Sequence, residues 1–322
     1  MSLPPPGTAR GVHRMGLGLA AVGRPGYLNL GRVGDLPVDR TVEAMRRRTH
    51  ALLDLAYARG VRYVDTARSY GRAEEFLAEW LAEHPEAGDL RVGSKWGYTY
   101  TAGWRVDAEV HEIKDHSLAA FEHQHRESGE LLGERLDLYQ IHSVTPESPA
   151  LSDSALLERL GRLSEEGVTV GLSTSGPRQA EVIRRALRIT PGGRSLFRAV
   201  QCTYNVLEPS AGEALEEARA AGWTVIVKEA LANGRLAGAQ APEALRRTAR
   251  ECGVDADVVA LAAVLRRPWV EVVLSGAATT RQLESNLAAV DQALTEEQVA
   301  RLGELAEEPG EYWRERGQLA WS

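Results

Sequence analysis

The sequence predicts an α/β fold: a closed (β/α)8 TIM barrel, one domain over residues 1–322, with an extra C-terminal helix and tail. Three observations carry this. Strand-like and helix-like patterns alternate eight times along the chain. Asp65, Tyr70, Lys95 and His142 fall at or just past the ends of three successive strand-like runs, where barrel enzymes place their chemistry. Lysine is scarce: Lys95, Lys114 and Lys228 are the only three, which leaves 35 arginines among 38 basic residues. In so Arg-biased a chain, a lysine at a strand end points to a need for an ammonium rather than for any positive charge.

The strand-like runs are 14–21, 63–67, 90–95, 136–142, 168–174, 199–204, 223–229 and 271–275. Most are short and nearly continuously apolar, as suits strands buried on both faces. Helical patterns lie between and after them at 40–59, 73–83, 107–132, 153–166, 177–189, 211–221, 242–252 with 256–266, and 279–290. Gly60 is a natural stop for the first, and Pro177 suits the first position of the fifth. Thr295-Glu296-Glu297-Gln298 starts a further helix with a capping box.

The rival architecture is an open doubly wound sheet. Gly16-Leu17-Gly18-Leu19-Ala20-Ala21 spells a literal G-x-G-x-x-A. That motif counts only where a helix follows the strand at once. Here loop-like sequence runs to Pro37, so the glycines read as the first barrel strand entering the site.

Composition narrows the function. With 43% hydrophobic and 26% charged residues, the chain suits an ordinary globular protein. A net charge of -7 and a pI near 5.7 give no electrostatic case for nucleic acid or an anionic membrane. No apolar stretch is long enough to span a membrane. Residues 10–23 faintly resemble a signal peptide, but the run is short and Gly-rich. Cys202 and Cys252 form no C-x-x-C, so a cytoplasmic setting is expected, with Cys202 packing as a small hydrophobe. The histidines at 111, 116, 123 and 125 fall on a polar, Glu-rich helix pattern and read as a solvated face, not a metal site. Oligomeric state leaves no readable signal.

Segments 22–40, 96–106 and the tail from Pro309 are long for connectors. Tyr27, Trp96, Tyr98 and Trp104, together with Tyr312, Trp313 and Trp321 of the tail, either wall an apolar ligand or pack these segments onto the barrel.

The four strand-end groups suit one chemistry. A phenol near pKa 10 is a weak acid at neutral pH. A nearby ammonium lowers that pKa, and a paired carboxylate keeps the ammonium charged and in place. A neutral His can orient a substrate oxygen. The set suits protonation of a carbonyl oxygen while hydride reaches its carbon.

These residues also carry a resemblance. Asp65-Thr66-Ala67-Arg68-Ser69-Tyr70-Gly71 resembles the D-x-A-x-x-Y-G signature of the aldo-keto reductases, and Ser94-Lys95 and Gln140-Ile141-His142-Ser143 resemble the family's catalytic Lys and His segments. The likeness runs from about residue 14 to 290. It implies a barrel that binds NADPH (NADP), less often NAD, and reduces a small carbonyl compound or oxidises an alcohol. Tyr70 would be the general acid–base, Lys95 would depress its pKa, Asp65 would anchor Lys95, and His142 would position the carbonyl. Ser173, Thr174 and Gln201 correspond to residues that hold the nicotinamide carboxamide, with Thr174 where the family usually has Asn. Gly276 to Asn286 corresponds to the adenosine-phosphate cradle, with Thr279 and Arg281 in place of the usual phosphate ligands and Gln282 and Asn286 toward the adenine. Lys228 stands where the family often has a stacking Tyr. It cannot supply an aromatic face, and a contact to pyrophosphate or substrate is open to it.

Two other functions compete. One is a non-enzymatic nicotinamide-binding subunit that senses redox state. The other is a Schiff-base aldolase using Lys95 or Lys228, which the closeness of Asp65 to Lys95 opposes.

Overall fold

The computed structural model describes residues 11–26 and 39–320. Eight parallel strands close into the expected barrel. In chain order the strands are β1 (Met15–Gly18), β2 (Tyr63–Asp65), β3 (Arg91–Trp96), β4 (Tyr98–Tyr100), β5 (Glu112–Lys114), β6 (Leu136–Val144), β7 (Thr169–Thr174), β8 (Ala199–Thr203), β9 (Thr224–Lys228) and β10 (Val272–Ser275). All but β4 and β5 form the barrel, in the order β1-β10-β9-β8-β7-β6-β3-β2. The helices are α1 (Val42–Ala58), α2 (Ala73–Glu83), α3 (Leu118–Leu132), α4 (Ser154–Glu165), α5 (Gln179–Leu187), α6 (Gly212–Ala220), α7 (Glu243–Cys252), α8 (Ala256–Leu265), α9 (Thr280–Leu287), α10 (Glu296–Gly303) and α11 (Pro309–Gly317).

Side chains alternate between barrel interior and helix-facing exterior. At the lower end, Tyr63, Leu138, Ala199, Ile226, Val272 and Leu274 form an apolar plug separate from the larger core under the helices. Two residues further along, the same inward positions turn polar: Asp65 follows Tyr63, Gln201 follows Ala199, and Lys228 follows Ile226. The plug supplies rigidity, and the polar layer above it forms the floor of the site. Register sets the spacing. Asp65 lies level with Gly18 on one neighbour and Gly93 on the other, so the carboxylate meets no bulk beside it.

Local chemistry explains the helix ends. Thr41 Oγ1 accepts from Ala44 N at 3.2 Å to start α1, and Gly60 (φ 93°) follows its end. Capping boxes open α9 (Thr279 with Gln282) and α10 (Thr295 with Gln298). Pro177 lies two residues ahead of α5, because Gly176 (φ 90°) is still turning the chain there.

One predicted helix is wrong over its first eleven residues. Of 107–132, only Leu118–Leu132 is helical, started by Ser117, whose Oγ accepts from Ala120 N. The part before Ser117 pairs back on the 96–106 segment as the antiparallel ribbon β4–β5, with Tyr98 opposite Lys114 and Tyr100 opposite Glu112. Three-residue strands are too short to show a period. His111 and His116 are therefore buried, not on a solvated face, whereas His123 is exposed. Among the described residues no helix is long and apolar enough to cross a membrane.

Candidate active site

Strand ends bring the four groups together at the barrel mouth. Lys95 Nζ lies 2.5 Å from Asp65 Oδ2, 2.8 Å from Thr66 O and 3.2 Å from Tyr70 Oη. Gln201 Nε2 donates to Asp65 Oδ1 at 2.7 Å, so both carboxylate oxygens are engaged. The His142 ring stands edge-on to Tyr70 at 5.6 Å between centroids, with Ser69 Oγ 3.5 Å from its Nδ1. Lys95 is fully buried and Asp65 nearly so. Such a pair is retained by mutual satisfaction: breaking it costs about 3–5 kcal/mol.

The Tyr70 turn is tied to its neighbours. Arg68 N donates to Lys95 O at 3.0 Å, and Arg72 N donates to Gly23 O at 2.8 Å. Buried Glu74 accepts from Arg68, Ser94 Oγ and Ser128 Oγ. Gly71 (φ 65°) and Gly23 allow two backbones to touch: a Cβ on Gly71 would sit 2.5 Å from Gly23 O, and one on Gly23 would sit 2.3 Å from Tyr70 O. The β1 loop thereby delivers Arg24, a residue the sequence reading passed over. Its guanidinium lies 5.4 Å from the Tyr70 ring centroid, and its Nη1 donates to Ser69 O and Glu112 Oε2, both at 2.8 Å.

Burial pushes the Tyr70 phenol well above its ordinary pKa, the Asp65 carboxylate adds to this, and Arg24 opposes it. The acidification expected from Lys95 does not prevail, since burial of the phenol outweighs it. Tyr70 is thus protonated at neutral pH. Burial drives His142 well below the usual imidazole range, and Lys95 and Lys228 push the same way, so the ring is neutral. Its backbone carbonyl accepts from His116 Nε2 at 2.8 Å. That assigns the His116 proton to Nε2, leaving Nδ1 to accept from Ser148 Oγ at 2.6 Å. Burial and Lys114 pull His116 down to about 4.

A cavity of about 1060 Å³ opens over this floor. Its lining runs from Tyr70, His142 and Arg24 past Gln201 and Lys228 to Gly276, Thr279, Arg281 and Gln282 at the start of α9 and Asn286 near its end. Some expected binding groups are already engaged. Gln282 Oε1 accepts from Ala278 N and Thr279 N, and Asn286 hydrogen-bonds Ser275 Oγ at 2.8 Å. Ser173 and Thr174 are fully buried and absent from the lining: Ser173 Oγ accepts from Ser143 N, and Thr174 Oγ1 donates to Gln179 Oε1. Of the four aromatic candidates, Trp96 is a core residue against Phe121 and His116. Trp104 is half-buried beside Phe76 and donates from Nε1 to Arg40 O. Both therefore pack their segment onto the barrel. Tyr98 is near the chemistry, 5.0 Å from the His142 ring, and Tyr27 lies outside the described residues. The tail became α11, which brings Arg316 to the cavity and Tyr312 Oη to Asn205 Nδ2 at 3.0 Å.

The model of the aldo/keto reductase family matches residues 15–307. The chain belongs to this family. Among the relatives of this aldo/keto reductase is the aldo-keto reductase str7 of Strobilurus tenacellus, 28% identical over 88% of each chain. The pyridoxal 4-dehydrogenase of Microbacterium luteolum is 26% identical over 89% of this chain and 94% of its own. The holo form of aldo-keto reductase AKR11C1 from Bacillus halodurans shares the fold, with a TM-score of 0.65 at 23% identity over 92% of both chains. Membership makes this chain an oxidoreductase of a family that binds nicotinamide cofactors and acts on small carbonyl compounds.

Proposed function

We propose that the protein transfers hydride between NADPH and an aldehyde or ketone, with Tyr70 as the proton donor in reduction and acceptor in alcohol oxidation. The observation that carries this reading is the chain Asp65–Lys95–Tyr70, with contacts of 2.5 and 3.2 Å, beside a neutral His142 at the floor of a large cavity. A carbonyl oxygen seated between Tyr70 Oη and the His142 ring would gain two hydrogen-bond partners as negative charge develops on it. Lys95 then stabilises the phenolate left behind, at the moment when its charge matters most.

The cavity's volume of about 1060 Å³ and its polar lining support a bound dinucleotide. Gln201 and Lys228 face its inner half, and Thr279, Arg281 and Gln282 face its outer half at the N-terminus of α9, where backbone N–H groups favour phosphate. The nicotinamide supplies the hydride when bound. The Arg281 guanidinium at that outer end supports NADPH over NADH. The cytoplasm, where reduced nicotinamide is replenished, is the proposed setting. The names of the fungal and bacterial relatives are consistent with either direction of the reaction. Lys95, held as an ammonium by Asp65, does not suit an aldolase.

The test is a fluorescence titration with NADPH and NADH, followed by a panel of aldehydes and ketones under single-turnover conditions. Tighter binding of NADPH and carbonyl-dependent oxidation are expected. Tight binding with no turnover on any carbonyl would transfer the chain to the redox-sensing reading.

A further inference from the structure

Strand β9 ends in Lys228, half-buried and lining the cavity. It stands four strands round the barrel from Lys95, on the opposite side of the mouth. The other charged groups lining this inner end are paired: Asp65 with the fully buried Lys95 at 2.5 Å, Arg24 with Glu112 at 2.8 Å, and Arg316 with Glu229 through two guanidinium nitrogens. Lys228 is the remainder. Among the described residues its ammonium makes no hydrogen bond and no ion pair.

Glu229 is the nearest candidate to neutralise it, being next in the chain. The left-handed backbone at Glu229 (φ 54°) breaks the strand's alternation, and its carboxylate goes to Arg316 and to Thr203 Oγ1 at 3.0 Å. Such a conformation costs a non-glycine residue about 1–2 kcal/mol. The result is a partly desolvated cation lining a ligand cavity, with its neighbouring anion already hydrogen-bonded to Arg316 and Thr203. Burial pulls Lys228 below its ordinary pKa although the Glu229 carboxylate acts the other way, and an incoming anion would oppose that shift further. An apolar ligand would only add to the desolvation cost.

We infer that Lys228 is the receptor for an oxyanion of the bound ligand, either the diphosphate of a dinucleotide or a carboxylate on the carbonyl compound. This rests on the reductase reading of the cavity, and the test separates the two. Kd for NADPH is measured by fluorescence, without turnover, for the wild type, Lys228→Met and Lys228→Arg. KM is then compared for 4-carboxybenzaldehyde and its neutral methyl ester. Loss of a charge-assisted contact is expected to raise one constant about tenfold or more in Lys228→Met, with Lys228→Arg close to wild type. A rise in the NADPH Kd identifies the diphosphate. A rise in KM confined to the carboxylate substrate identifies the substrate anion. Should the wild type bind NADPH through Lys228 yet reduce no carbonyl, this inference stands and the reductase reading falls. Lys228→Met with an unchanged Tm and both constants within twofold of wild type would overturn it. So would borohydride trapping of a carbonyl ligand on Lys228, which requires a neutral amine. If Lys228→Met does not fold, Lys228→Gln and the salt dependence of NADPH binding by the wild type replace it, and a Kd insensitive to both is equally negative.

Discussion

Gln201 reaches across the barrel from β8 and donates to Asp65 Oδ1 at 2.7 Å on the opposite strand, β2. The residue expected to hold a carboxamide thus holds the carboxylate that holds Lys95. The buried ammonium then depends on Asp65 for its charge. Asp65→Asn removes the anion but little volume, and it is expected to destabilise the fold by about 3–5 kcal/mol. Urea denaturation at pH 7 measures this. A loss below about 1 kcal/mol would mean that Thr66 O and Tyr70 alone satisfy Lys95.

Tyr70→Phe removes the hydroxyl at the end of that chain and leaves the packing of its ring. Hydride transfer to an aldehyde should fall by about 10²–10⁴-fold while Kd for NADPH stays within twofold. Rapid-mixing single turnovers separate the two quantities, and near-normal transfer would remove Tyr70 from the chemistry.

The Tyr70 phenol is faced by Asp65, Lys95, Arg24, Glu112, Glu229 and His142. Arg24 is the cation that opposes its upward shift. Arg24→Met should raise the phenol pKa further, moving the alkaline limb of the rate profile upward and slowing transfer at pH 7 by about tenfold. Arg24→Lys should restore most of both. A profile unmoved by Arg24→Met would leave Arg24 with a packing role alone.

Gly71→Ala forces a side chain into a left-handed position against Gly23 O and Arg24 Cβ. The expected cost is about 2–4 kcal/mol, from strain plus overpacking. Activity should fall further than stability predicts, because the displaced loop carries Tyr70 and Arg24. Gly88→Ala, where a Cβ meets nothing within 4 Å, is the control and should stay within about 0.5 kcal/mol. Thermal and urea unfolding compare the pair.

His116 is held neutral, at about 4 in the fold against 6.5 unfolded. In that window the unfolded state binds more protons, so stability falls as pH drops from 6.5 toward 4, by about 3 kcal/mol in all. His142, also depressed, acts in the same direction. His116→Asn should flatten the slope of unfolding free energy against pH without abolishing it. An identical slope in the variant would place the titration elsewhere.

The parallel strands and the four catalytic candidates were readable because each is local. A continuous apolar run declares a doubly buried strand, and the residue that ends it inherits the barrel rim. Lys95 stood out by its rarity together with its place at a strand end. The ribbon β4–β5 was not readable, since three residues show no period and a Glu-rich neighbourhood mimics a helix surface. His111, His116 and Glu112 were misplaced with it. Arg24 was hidden for another reason: nothing in a loop's composition says which backbone it will touch.

From one-dimensional pattern alone came the barrel and the candidates Asp65, Tyr70, Lys95 and His142, because hydrophobic period and strand-end position are properties of neighbours in the chain. Folding in three dimensions decided the charge balance. It brought Gln201 to Asp65, Arg24 over Tyr70, and Arg316 from the last helix to Glu229, leaving Lys228 unmatched. Electrostatic energy depends on distance and burial between groups up to 136 residues apart, and no local pattern encodes either.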